Sequence, residues 1–521
     1  MKVKMIVKKY IFLILLLFFN SAELKAEEKK SFIKIGGFVD TSSASVGQSG
    51  AYENEVLPNS ESTLKSVNRQ NIHGSQQSRV FSRIDLTAGI KVDEVRSFGV
   101  KIVLNSTIGN NDDDAGRFGN QNYIFLNTKY GRQEIGVSPT PAATMRIDAS
   151  VIARASGGIG GQWFRFVNFP VFNTSGMSAD QANELSAGYM PIFLLQPMLP
   201  NEAGFTSGAT QSLFIYQGNE QTNPQMTNGG YDVMYYNRQQ PRFGHALHNG
   251  INFYTPRYNG FQFGFSYGPN TGSAGGIGRH DSEFLRNGSG NPISIHGANS
   301  TRSGNVSNYL SIGVNYKKII TDDIDIALSL THERGKAQDI NNPYGVNGGC
   351  TIYSGSCING FNGRRDLSAY AIGGKLNYGP FSFAGSYGSW GNSLQPIVNN
   401  TKDGSGNYLY PWLVPFDANG NEMVDFKKTS FYNFGGAYEF GPFNASITHL
   451  VTNNMGNKVK ASSIGLDYQV SGYTFGTLVP YIEYTQFSMT GAPIYLASVQ
   501  QLYTPIKNSG NVIMIGFKFI F

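Results

Sequence analysis

Few side chains in this sequence are spaced for catalysis or metal binding. His245 and His248 lie three residues apart, but no acidic residue completes a metal-binding set, and a strand would place the two rings on opposite faces. The sequence contains no G-x-S-x-G nucleophile motif. The glycine-rich residues 157–161 lack the preceding strand and following helix of a phosphate-binding loop, so we interpret them as a flexible loop. The sequence therefore predicts no enzymatic activity, no cofactor and no metal site.

Two short acidic tracts could supply oxygen ligands to Ca²⁺. They are Asp112-Asp113-Asp114 and Asp417-x-Asn419-x-Asn421. Neither tract shows a complete coordination set or the flanking helices of an EF-hand. We favour solvated loop charge over a calcium site at both tracts.

The two cysteines, Cys350 and Cys357, lie seven residues apart in a stretch rich in Gly, Asn and Ser. No companion His or Cys completes four metal ligands. In an exported protein, this spacing predicts a local disulfide that staples a loop.

Charged residues are instead concentrated on one face of segments in which apolar and polar residues alternate. The clearest segment spans residues 78–93, where one parity carries the apolar residues Val80, Ile84, Leu86, Ala88, Ile90 and Val92. In a strand, this pattern gives one face suited to hydrocarbon and one suited to water. The polar face of the early segments carries Arg79, Arg83, Asp85, Lys101, Arg132 and Glu134.

Sixteen segments have the length and alternation of membrane strands. They span residues 31–40, 78–93, 97–105, 122–129, 132–137, 248–255, 260–268, 308–318, 322–333, 366–378, 381–388, 430–440, 443–451, 459–470, 477–487 and 511–521. Residues 211–216 could form additional strands, so a count of eighteen is also possible.

Alternation also fits a soluble sandwich, but three further features favour a barrel. Short connections such as 318–322, 379–380 and 441–442 alternate with long ones such as 269–307 and 389–428. Aromatic residues flank the short turns, as expected at a membrane interface. The last segment is apolar on one face up to Phe521. The sequence therefore predicts an all-β fold: an antiparallel transmembrane β-barrel with long external loops, short periplasmic turns and periplasmic termini.

A targeting signal occupies residues 1–26. Four lysines precede an apolar run that is too short to span a bilayer, and small residues follow it. We expect cleavage after Ala26, with Ala22 as the alternative, so that the barrel comprises residues 27–521. The whole chain is +6, and the signal carries five Lys and one Glu, or +4, which leaves about +2 for the mature chain. This charge gives no indication of nucleic-acid binding.

The chain resembles the Gram-negative general porin family. The resemblance lies in Ser78-Arg79-Val80-Phe81 and the strand after it, in residues 130–137 (YGRQEIGV), and in the terminal Phe521. It implies a homotrimer in outer-membrane lipid that passes small hydrophilic solutes and ions, with Phe521 recognised by the barrel-assembly machinery. It also implies that residues 138–246 fold into the barrel as a long inserted loop.

On this resemblance, Arg79, Arg83 and Arg132 form a positive wall. Asp148, beside Arg146 on the loop, would supply the opposing charge across a constriction. The alternative is that these charges pair between neighbouring strands and serve the structure alone.

Three other functions remain open. One is a substrate-specific channel that binds a single nutrient class in the long loop. Another is a surface adhesin that works through its loops, and a third is an outer-membrane hydrolase, which the missing nucleophile motif disfavours.

Overall fold

The computed structural model describes residues 30–50, 76–109, 121–161, 163–167, 170, 193–200, 247–270, 284–286, 292–294, 306–337, 365–395, 397, 402, 404–406, 415–417, 419–473, 476–496 and 501–521. The strands are β1 (Lys30–Gly47), β2 (Gln76–Lys91), β3 (Ser97–Gly109), β4 (Gln121–Thr128), β5 (Gly131–Pro139), β6 (Leu247–Tyr254), β7 (Phe261–Asn270), β8 (Phe284–Arg286), β9 (Pro292–Ser294), β10 (Val306–Thr321), β11 (Ile324–Ala337), β12 (Leu367–Tyr378), β13 (Phe381–Gly391), β14 (Thr429–Phe440), β15 (Phe443–Asn454), β16 (Asn457–Tyr468), β17 (Val470–Tyr473), β18 (Gly476–Thr490), β19 (Ile494–Leu496), β20 (Gln501–Tyr503) and β21 (Asn508–Ile520). Helical structure in the described residues comprises α1 (Pro141–Thr144) and the 3-10 turns Ala149–Ile152, Gly158–Gly160 and Trp163–Phe166.

Sixteen of the described strands form one closed antiparallel ring. Strands β1 to β7 pair in order, β7 pairs with β10, β10 to β16 pair in order, and β18 and β21 lead back to β1. The last residue takes part in closure, because Phe521 N–H donates to the Gly37 carbonyl (3.1 Å) and Gly37 N–H donates to the Phe521 carbonyl (2.9 Å). The predicted sixteen-stranded barrel is confirmed. Strand β5 pairs directly with β6, and residues 211–216, the candidates for additional strands, lie outside the described residues.

The two faces of the ring differ as the alternation predicts. Large apolar side chains such as Ile124, Phe263, Leu330 and Ile515 are exposed on the outer face. Positions of the opposite parity point inward, as shown by their contacts with the chain that follows β5, described below. An outer face of this kind is suited to lipid. No helix among the described residues is long and apolar enough to cross a bilayer.

The connections divide the barrel into two ends. Turns of two residues, such as 379–380 and 441–442, join the strands at what we call the short-turn end, where both Lys30 and Phe521 also lie. Aromatic rings meet here, with centroids 4.9 Å apart for Phe381 and Tyr438, and 5.2 Å apart for Phe440 and Phe443.

The other end, the long-loop end, carries the long connections with one exception. Strands β15 and β16 are joined by Met455 and Gly456 alone, both with positive φ (56° and 103°). Positive φ at both central residues matches a tight hairpin turn whose twist fits its strands. The predicted alternation of short and long connections is therefore broken at this one position.

Candidate functional site

An inward-facing group of charged residues lies on β2, β3 and β5, and we call it the charged wall. Asp85 accepts from Arg83 Nε (2.5 Å) and lies 3.1 Å from Lys101 Nζ. On β5, Arg132 Nε donates to Glu134 Oε1 (2.7 Å). These positions share one face because the side-chain period of a strand is two residues. Charges of both signs therefore line this wall in neighbouring pairs.

Aromatic and amide groups orient Arg132 within the charged wall. Its guanidinium carbon lies 4.4 Å from the Phe125 ring centroid, and Nη1 donates to Asn127 Oδ1 (3.2 Å). Its partner Glu134 is buried and also accepts from Asn252 Nδ2 (3.3 Å). Ring stacking and a planar set of donors suit arginine better than lysine at this position.

The chain that follows β5 enters the barrel and runs along its inner wall. We call its residues 140–161, 163–167 and 170 the insert. Backbone N–H groups of the insert donate to wall side chains: Ala142 to Ser311 Oγ on β10 (3.0 Å), Ile147 to Ser329 Oγ on β11 (3.0 Å), Ala149 to Asn433 Oδ1 on β14 (2.7 Å) and Ile159 to Thr448 Oγ1 on β15 (3.1 Å). Short polar side chains of the wall thus satisfy donors that a buried loop would otherwise leave without partners.

Apolar packing holds the later part of the insert. Trp163 is fully buried and stacks on Phe487 of β18 with ring centroids 5.7 Å apart, while its Nε1 donates to the Ile159 carbonyl (3.3 Å). Inward-facing Val459 and Met514 belong to the same cluster. On the neighbouring wall, Trp390 and Tyr309 form a second apolar cluster with Leu194, Met198 and Leu199. Burial of apolar surface on this scale fixes the insert against the barrel.

The insert also carries charge. Arg146 Nε lies 3.0 Å from Asp148 Oδ2, and Asp148 accepts from Ser150 N–H (2.8 Å), which begins the following 3-10 turn. Arg154 Nη2 lies 2.6 Å from Asp467 Oδ1 on β16. Asp467 accepts a further hydrogen bond from Asn444 Nδ2 (3.1 Å). The Arg154–Asp467 pair joins residues 313 positions apart in sequence.

The structure places the candidate site residues in neighbouring pairs. Arg83, Asp85 and Lys101 form one group, Arg132 and Glu134 a second, and Arg146 and Asp148 a third. Arg79 lies with its guanidinium carbon 5.5 Å from the Phe166 ring centroid, where the insert reaches β2. The partners seen for Asp148 are on the insert itself. The described insert contacts β7, β10 to β16, β18 and β21 and meets β2 at Arg79, so the lumen lies on the side of β3 to β5 and the adjoining part of the charged wall.

Sequence reasoning missed Arg154, Asp467 and Trp163. Asp467 had a signal, because it has the polar parity of the predicted strand 459–470. Arg154 and Trp163 had none, since the insert lacks periodicity. The glycine-rich residues 157–161, interpreted as a flexible loop, form a packed 3-10 turn against β15 and β16.

Of the acidic tracts considered for a metal, the structure describes the one at Asp417. Asp417 accepts from the side-chain and backbone N–H of Asn421 (2.9 and 2.8 Å) and from Asn419 N–H (2.8 Å), and these bonds lower the pKa of Asp417. No three His, Cys, Asp or Glu side chains of the described chain are grouped to hold a metal. Asp112 to Asp114, His245 and both cysteines lie outside the described residues, and His248 is described by its backbone alone.

Several Rickettsia proteins are similar to this chain. An uncharacterized protein of Rickettsia typhi is 26% identical over 414 residues, covering 77% of this chain and 76% of that protein. An uncharacterized protein of Rickettsia prowazekii is 26% identical over 435 residues, covering 81% and 80%.

Solved structures give weaker similarity. An anion-selective porin from Comamonas acidovorans has a TM-score of 0.43 at 13% identity, covering 94% of this chain and all of that chain. A Salmonella typhi OmpF complex with daunomycin has a TM-score of 0.44 at 9% identity, covering 94% and 97%.

The family model described as "Gram-negative porin" matches residues 199–472. The match runs from the last residues of the second apolar cluster to the end of β17, and it covers more than half of the sequence. This chain therefore belongs to the Gram-negative porin family, whose members are channel-forming barrels of the outer membrane.

Proposed function

We propose that this porin is a water-filled channel through which small hydrophilic solutes and ions diffuse passively. The observation that carries the proposal is the partial solvent exposure of the charged wall. Arg83, Lys101 and Arg132 point inward yet keep 21%, 23% and 34% of their side-chain surface exposed. Charged groups inside a membrane barrel are stable where water remains in contact with them.

The insert supports the proposal because it narrows the lumen from one side. Hydrogen bonds and apolar packing attach it to the wall from β7 through β10 to β16, β18 and β21, which leaves the side of β3 to β5 free of it. Solutes would pass between the insert and that side, so Arg79, Arg83, Asp85, Lys101, Arg132, Glu134, Arg146 and Asp148 are our candidates for the residues that line the constriction. A narrow aqueous gap lined with fixed charge discriminates solutes by size, charge and dipole.

Several expectations belong to the same proposal. We expect export with cleavage after Ala26, recognition of Phe521 by the barrel-assembly machinery, and assembly as a homotrimer in outer-membrane lipid. A disulfide between Cys350 and Cys357 would close a loop of eight residues. Intact mass measured with and without reductant would test both the cleavage site and the disulfide.

Thiol labelling during conductance recording tests the channel directly. In a background with Cys350 and Cys357 replaced by serine, Lys101→Cys places a thiol on the charged wall. Ile102→Cys, the matched control, places a thiol on the lipid-facing side of the same strand. A bulky charged thiol reagent should reduce the conductance of the Lys101→Cys channel and leave the Ile102→Cys channel unchanged.

Two results would contradict the proposal. One is the absence of current from folded protein in planar bilayers, with no swelling of liposomes in small sugars. The other is equal sensitivity of the two variants to the reagent. Saturation or block by one solute at low concentration would instead identify a substrate-specific channel.

A further inference from the structure

Three ion pairs inside the barrel are arranged asymmetrically, because the cation keeps more exposed surface than its carboxylate, whereas Asp85 is as exposed as its partners Arg83 and Lys101. The exposed fractions are 34% for Arg132 against 8% for Glu134, and 27% for Arg154 against 6% for Asp467. In the pair on the insert, Arg146 keeps 15% and Asp148 keeps 4%.

Hydrogen bonds from the wall and the insert explain why the carboxylates are covered. Glu134 accepts from Asn252 Nδ2 (3.3 Å), and Asp467 accepts from Asn444 Nδ2 (3.1 Å). Asp148 accepts from Ser150 N–H (2.8 Å). Each carboxylate oxygen therefore has a partner within the protein. A guanidinium group has five donors in a plane, so donors remain for a solute after one carboxylate is bound.

Inward-facing lysines add further positive charge. Lys375 is the next inward-facing residue after Gly373 on β12, and Gly373 lies against Ile147 of the insert. Lys317 on β10 is exposed near the short-turn end. Neither lysine lies within ion-pair distance of a carboxylate in the described part of the chain. Arg257 reaches the same rim, where its Nη2 donates to the inward-facing Asn315 Oδ1 (2.5 Å).

Most other inward carboxylates are removed from the lumen. Glu333, Glu483 and Asp40 are buried, with Tyr309 donating to Glu333 and Tyr481 donating to Asp40. Among the described residues, the inward carboxylates that retain exposure are Asp85, which lies between two cations, and Asp325 and Glu439 near the short-turn end. In the described part of the lumen, exposed positive groups therefore outnumber exposed negative ones.

We propose that the lumen is selective for anions, and that small inorganic anions and small organic carboxylates or phosphates pass in preference to cations. This inference rests on the proposed channel function. Exposed charge determines the field in a water-filled gap, because a covered carboxylate is farther from the solute and is already engaged by its own donors. Planar guanidinium groups bind the paired oxygens of carboxylates and phosphates.

Reversal potentials in a potassium chloride gradient test the selectivity. At low salt we expect chloride permeability to exceed potassium permeability by roughly three- to tenfold, since the Debye length of about 10 Å at 0.1 M spans a narrow lumen. The ratio should fall toward one at 1 M salt, where the Debye length is about 3 Å.

Charge reversal tests the assignment to particular residues. Lys375→Glu should lower the chloride-to-potassium ratio several-fold at low salt, because it replaces a half-buried, inward-facing cation by an anion. Lys458→Glu is the matched control, since Lys458 is exposed on the outer face of β16, and it should leave the ratio unchanged.

The outcomes separate the two proposals. A conducting channel with a ratio of one or below, or a Lys375→Glu ratio equal to that of the unmodified protein, overturns the anion selectivity and leaves the channel function standing. Folded protein that passes no current overturns the channel function itself.

Discussion

Replacing Gly373 by alanine tests whether the insert is fixed directly against the barrel wall. Gly373 faces inward on β12, where the backbone of Ile147 passes over it. A β-carbon at this position would lie 1.9 Å from the Ile147 carbonyl oxygen and 2.9 Å from its carbonyl carbon. Both are backbone atoms, so rotation of a side chain cannot relieve the contact.

The size of the displacement follows from these distances. Ordinary van der Waals contact begins at 3.4 Å, so the insert must move about 1.5 Å away from β12, the difference between 3.4 and 1.9 Å. Such a movement lengthens the hydrogen bond from Ile147 N–H to Ser329 Oγ, now 3.0 Å, and the one from Ala149 N–H to Asn433, now 2.7 Å. Overpacking of this kind costs about 1–3 kcal/mol.

Single-channel conductance and thermal unfolding in detergent measure the two consequences. The insert can move only toward the lumen, so we expect Gly373→Ala to lower the conductance and to destabilise the packed insert. Gly374→Ala is the matched control on the adjacent, outward-facing position. Its β-carbon would meet Leu328 Cδ2 at 3.2 Å, the end of a flexible side chain, so conductance and unfolding temperature should stay unchanged.

Equal conductance and equal thermal stability for the two variants would refute the reasoning, because they would mean that Ile147 does not lie against β12. A loss of folded barrel in both variants would show that β12 tolerates no added methyl group. It would also contradict the conclusion that contact with the insert causes the effect of Gly373→Ala.

Three other changes give distinct results. Trp163→Ala removes the ring stacked on Phe487 and should destabilise the packing of the insert by about 3–5 kcal/mol. We expect the barrel to stay folded and its conductance to become larger and noisier. Phe521→Ala should reduce the amount of assembled barrel in outer-membrane fractions without changing the conductance of the channels that form. Hydrogen bonds from the backbone and side chain of Arg96 lower the pKa of Asp93 in the turn after β2. The charged form of Asp93 therefore stabilises the turn at pH values above the unfolded pKa of about 3.9. This stabilisation is lost as the pH falls through the lower pKa of the folded state. The unfolding temperatures of the unmodified protein and Asp93→Asn should therefore differ near neutral pH and converge in acid.

The barrel could be predicted because each strand carries its own local signal. Alternation of apolar and polar residues fixed all sixteen strands to within a few residues, except at the end of β1. That strand was predicted to end at residue 40 but continues to Gly47. In Thr41 to Ser45 both faces carry small or polar residues, so the contrast that marks a membrane strand disappears while the pairing with β21 continues.

The path of the insert could not be predicted, because its contacts are distant in sequence and have no period. Ala149 meets Asn433, 284 residues away, and Ile159 meets Thr448, 289 residues away. Nothing in the spacing of loop residues indicates which wall positions will accept these hydrogen bonds. The pairing of Arg132 with Glu134, by contrast, follows from their shared face on one strand.

A missed signal for the insert does exist in the strands that bind it. Residues 512–515 are apolar on both faces of β21, and Phe487 and Met489 are apolar inward positions on β18. A strand that is apolar on both faces packs against apolar groups on both sides. In a membrane barrel, lipid contacts the outer face, and a segment of the chain itself has to pack on the inner face. Strands β2, β3 and β5 lack this double apolar pattern over the charged wall and keep polar groups inward. Two-sided apolar strands therefore show where an inserted segment packs, and one-sided strands show where the lumen stays open to water.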